Sequence, residues 1–66
     1  MTKKQIRESF ITDFLDDGER IVDINKFDAY YTFVNIVTIS KNHVIWKYCF
    51  EIVDGNLVFL DSKLLV

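Results

Sequence analysis

The stretch AYYTFVNIVTIS (29–40), KN (41–42), HVIWKYCFEIV (43–53), DGN (54–56), LVFLDSKLLV (57–66) decides the fold. Three apolar runs, rich in β-branched and aromatic residues, are parted by two short polar breaks, the pattern of an antiparallel meander. Reading Lys41-Asn42 as a two-residue turn sets the register of the first hairpin. Ser40 then faces His43, Ile39 faces Val44, Val37 faces Trp46, Asn35 faces Tyr48, Phe33 faces Phe50 and Tyr31 faces Ile52. Side chains alternate across a strand, so these pairs share one nearly apolar face, the expected seat of the core. A slip of one residue would send a whole strand's set to the other side.

The opposite face then carries Tyr30, Thr32, Val34, Ile36, Thr38, Ile45, Lys47, Cys49 and Glu51. A solvated sheet face normally tends towards charge. Here Val34, Ile36, Ile45 and Cys49 cluster, interrupted by Lys47 and Glu51, and a patch of this kind marks an interaction surface.

The last run reads two ways. Asp54-Gly55 is a favoured hairpin dipeptide. A two-residue turn there puts Leu57, Phe59 and Leu65 on the core face, with Asp61 beside Tyr48 and Lys63 beside Trp46. A three-residue turn brings Val58, Leu60, Ser62 and Leu64 there instead. Both alternating sets are apolar, so the pattern leaves the choice open.

Towards the N-terminus, Thr2-Lys3-Lys4-Gln5 has the form of a capping box. Helical period over Lys3–Asp16 follows, with Ile6, Phe10 and Phe14 every four residues and Ile11 and Leu15 widening the stripe. Asp17-Gly18 ends it, Gly18 suiting the left-handed C′ position. Glu19–Asn25 reads as a weaker strand and Lys26-Phe27-Asp28 as a turn. The expected architecture is α+β: one N-terminal amphipathic helix packed on a three- to four-stranded antiparallel β-meander, in the order α-β-β-β-β. It spans residues 1–66 as one small domain.

A chain of 66 residues buries only ~60% of its unfolded surface, so it needs a rich core or a partner. The core is rich: half the residues are hydrophobic, with six Phe, three Tyr and one Trp. Cys49 is the single cysteine, so no internal disulfide forms, and a reducing, cytoplasmic setting is expected. The charged start lacks an apolar segment of the kind a signal peptide needs. The longest uncharged stretch, 29–40, is too short and too polar to span a bilayer, so no membrane role is expected.

The net charge of −2 is unevenly spread. Lys3, Lys4 and Arg7 make the first seven residues basic, whereas residues 8–28 hold seven acids against two bases. Both helix ends therefore oppose the macrodipole, which favours acids at the start and bases at the end. An antiparallel helix from a second copy would set each basic end beside an acidic one.

No catalytic constellation emerges. His43 and Cys49 lie six residues apart on one strand, roughly 20 Å, far beyond the reach of a nucleophile–base pair. One His and one Cys argue against zinc, and Asp13–Glu19 lacks the alternating ligands of a calcium loop. No Gly-rich phosphate loop is present, and no cofactor is expected. An isoelectric point near 5.1 gives no positive footprint for nucleic acid. The expected function is a small non-enzymatic interaction module that binds or inhibits a larger protein, as a homodimer. Asp13, Asp16, Asp17 and Glu19 on the acidic strip and Val34, Ile36, Ile45 and Lys47 on the second face are its candidate contacts. The alternatives are a nucleic-acid-binding regulator using Lys3, Lys4 and Arg7, or an acidic nucleic-acid mimic occupying a basic site.

Overall fold

Thr2 and Gln5 close the helix start reciprocally. The Gln5 N–H donates to Thr2 Oγ1 at 3.2 Å, and the Thr2 N–H donates to Gln5 Oε1 at 2.8 Å. The computed structural model describes residues 1–26 and 32–66, and in it this capping box starts a helix, α1, over Lys3–Asp13. Ile6 and Phe10 are fully buried and Phe14 and Leu15 pack beside them, while Ile11 is 44% exposed and lies off the stripe. The helix ends three residues before the expected Asp16. Phe14 and Leu15 both donate to the Phe10 carbonyl, and Phe14 leaves helical geometry. Gly18 is left-handed as expected, at φ 79°, but in the turn closed by the Glu19 N–H and the Asp16 carbonyl. Positive φ at a turn's third position is the type II requirement that glycine meets.

Among the described residues four antiparallel strands follow: β1 Arg20–Lys26, β2 Phe33–Ile39, β3 Ile45–Val53 and β4 Asn56–Leu64, adjacent in chain order. The expected turn at Lys26-Phe27-Asp28 and the pairing of Tyr31 lie outside the described residues. The α+β order read from the sequence is the order of the structure.

The β2–β3 register differs by one residue from the two-residue-turn reading. Val34 pairs with Phe50, Ile36 with Tyr48 and Thr38 with Trp46. The cause is a three-residue loop. The His43 N–H donates to the Ser40 carbonyl, and the Ser40 N–H to the Val44 carbonyl, each at 2.9 Å, with His43 left-handed at φ 62°. A four-residue turn followed by a left-handed residue is the common three-residue hairpin connection. Ser40 Oγ secures it, accepting from the Asn42 and Val44 N–H groups. The extra loop residue turns Val34, Ile36 and Thr38 of β2 towards the helix, where all three are fully buried.

At Asp54-Gly55 both residues have positive φ, 51° and 76°, the signature of a type I′ turn. Leu57 therefore pairs with Ile52 and Phe59 with Phe50. An irregularity opposite Cys49 and Phe50 then adds Leu60, and beyond it Ser62 pairs with Tyr48 and Leu64 with Trp46. The strand thus adopts the two-residue set near the turn and the other set past the bulge. A second bulge, at Val22, sets Ile21 opposite Thr38 and Ile24 opposite Ile36, so two isoleucines three apart both face the core.

The core is an aromatic cluster between the helix and the sheet. The Phe50 ring meets Phe14 at 4.8 Å, Phe10 at 5.7 Å and Phe59 at 5.9 Å between centroids, all edge-on. These are the spacings aromatic quadrupoles favour.

Candidate interaction surface

The eight candidate residues fall into four places. Val34 and Ile36 are buried beneath α1 and are corrected from surface to core: the three-residue loop moves them. Asp13, Asp16 and Asp17 are exposed where the helix ends. Glu19 is engaged inside the fold, its carboxylate accepting from the Thr38 hydroxyl at 2.6 Å, the Tyr48 hydroxyl at 3.0 Å and the Asp16 N–H at 3.1 Å. Ile45 and Lys47 lie on the open face, with β3 residues alternating against buried Phe50. The structure does not bring the acidic helix end and the open face together.

The Glu19 cluster ties the helix–strand turn to the middle of the sheet. It satisfies Thr38, whose hydroxyl would otherwise be a costly buried polar group. Burial, reinforced by the hydrogen bond to Glu19 and by the charges of Glu19 and Asp16, pushes the Tyr48 phenol up to about 12. Partners this saturated make a structural tether.

The open face takes its β2 contribution from Phe33, Asn35, Val37 and Ile39. Its rows cross the sheet as Phe33–Glu51–Val58, Asn25–Asn35–Cys49–Asp61, Asp23–Val37–Lys47–Lys63 and Arg20–Ile39–Ile45. A polar middle therefore separates two apolar ends. At one end are Phe33, Val53 and Val58, all exposed, beside the Asp54-Gly55 turn. At the other are Ile39 and Ile45, half-buried. Phe33, Val37 and Ile39 escape the two-residue reading of Lys41-Asn42, although His43 carried a signal: histidine is among the few non-glycine residues enriched at positive φ.

The edge strand β4 is exposed along most of its length. Val58, Phe59, Leu60 and Leu64 within it, and Leu65 and Val66 just beyond it, are between 43% and 77% exposed. Among the described residues, the order β1-β2-β3-β4 leaves its outer backbone groups without a neighbouring strand. Among the described residues no cluster of three or more His, Cys, Asp or Glu side chains could hold a metal ion, and no helix is long and apolar enough to cross a membrane.

No known protein family, curated protein or solved structure matches this chain.

Proposed function

We propose that this chain is a small non-enzymatic protein-interaction module that binds or inhibits a larger protein. One observation carries the reading: among the described residues, apolar side chains of the open face and of β4 stand exposed on a domain that already buries an aromatic core. Large exposed patches on a small domain have a partner's burial as their usual reason. Phe33, in one row with Glu51 and Val58, is an aromatic of the kind enriched at the buried centre of interfaces. Cys49 is a free thiol on this face, in keeping with a reducing, cytoplasmic setting.

The test is affinity capture from the native cell with the wild-type chain and with Val58→Lys, an exposed change that leaves the core intact. A defined protein should be retained by the wild type and lost with the variant. Equal retention by both, or no retained protein, contradicts the reading.

A further inference from the structure

The sequence of β4 and its flank is chemically palindromic about Ser62. Asp61 and Lys63 stand on either side, and Val58-Phe59-Leu60 and Leu64-Leu65-Val66 stand beyond them. We propose that β4 pairs antiparallel with β4 of a second copy across a twofold axis at Ser62, joining two four-stranded sheets into one of eight. This rests on the interaction-module reading and names a second copy as one of its partners.

The backbone is set for it. Leu65 donates to the Ile45 carbonyl at 2.8 Å, and Lys63 and Asp61 pair with Lys47 and Cys49, so odd-numbered residues of this segment bond inward to β3. Antiparallel strands alternate inward and outward groups, which aims those of Ser62 out of the edge. The Ser62 N–H is accordingly held by the Asp61 carboxylate at 2.8 Å and not by β3. In the dimer each Ser62 N–H donates to the partner's Ser62 carbonyl, and each Asp61 turns to the partner's Lys63. An isologous interface demands such self-complementarity. Strand β4 has one acid and one base, and this register sets each opposite the other. It also relieves Lys63, which faces Lys47 within its own chain. The apolar flanks then run alongside each other and cover side chains now exposed.

The experiment is sedimentation over a concentration series with the full chain, Asp61→Lys, Lys63→Asp and the double exchange. Wild type should reach 15.6 kDa, twice the 7.8 kDa chain. Each single change sets like charges opposite at two places and should weaken association about tenfold, and the double exchange should restore it. Circular dichroism checks that each variant folds. Should one not fold, Ser62→Cys in a Cys49→Ser background decides: oxidation should give a dimer linked at the axis, where paired Cα atoms sit about 5.5 Å apart. A wild type that stays monomeric, a dimer indifferent to both single changes, or no Ser62→Cys link overturns the pairing. Capture of another protein that depends on Val58 would still stand in any of these cases, so the two readings fail separately.

Discussion

The two hairpins that share β3 turn by different rules. Asp54-Gly55 makes the tightest connection, two residues with both φ positive, and its strands keep the two-residue register until Leu60 intrudes. Ser40–Val44 makes a three-residue connection, with His43 carrying the single positive φ. One residue of loop length is the whole difference, and it selects which half of β2 is core. Val34, Ile36 and Thr38 go under the helix, and Phe33, Val37 and Ile39 go to the open face. Both sets are apolar enough to serve, so the loop, and not the strand, chooses between them.

The comparison breaks most sharply with a charge on each side of β2. Val34→Glu leaves a carboxylate without a partner in the core and should cost about 4 kcal/mol or more, comparable with the whole stability of a domain this small. Val37→Glu, on the open face opposite Lys47, should change stability by less than about 1 kcal/mol. Chemical denaturation of the two measures the contrast, and equal losses would mean that both faces are core.

The turns themselves come next. Gly55→Ala meets no neighbouring atom, so its cost is left-handed backbone strain alone, about 1–2 kcal/mol by thermal denaturation. Ser40→Ala frees two loop N–H groups and should cost about 1 kcal/mol. His43→Gly relieves positive φ against a looser unfolded chain and should stabilise by about 0.5 kcal/mol. A loss of stability at His43→Gly would contradict the loop's conformation.

A last effect separates the faces by pH. Tyr48, on the helix side, holds its proton more tightly folded than unfolded, at about 12 against 10.0. Its contribution is therefore complete below pH 10 and is lost as the pH rises towards 12. Alkaline unfolding curves should show this decline in the wild type and a flatter profile in Tyr48→Phe.

Much of this was legible beforehand. The capping box at Thr2 and Gln5, the buried Ile6 and Phe10, the strand order and the place, though not the length, of the turn at Asp54-Gly55 each follow from a local signal that tertiary packing reinforces. The face of β2 was not legible, because alternation is blind when odd and even positions are both apolar and Lys41-Asn42 resembles a complete turn. The bulges at Val22 and Leu60 left no mark either, since each inserts one apolar residue among others. Of the candidate surface, Ile45 and Lys47 were placed correctly because β3 keeps its parity under either loop. Glu19 could not be assigned, because its partners Thr38 and Tyr48 lie 19 and 29 residues away.

The register of β2 against β3 is the claim on which the surface depends, and Cys49 offers a direct measurement of it. Asn35 lies opposite Cys49. The Ile52 N–H donates to the Thr32 carbonyl, so bonded pairs fall on even positions and Asn35–Cys49 is a non-hydrogen-bonded pair, with Cα atoms about 4.5 Å apart. That spacing lies within reach of a disulfide. Mild oxidation of Asn35→Cys should therefore give an intramolecular link to Cys49, seen by mass spectrometry, with Val34→Cys giving none. A link from Val34→Cys with none from Asn35→Cys would restore the two-residue turn and contradict the account.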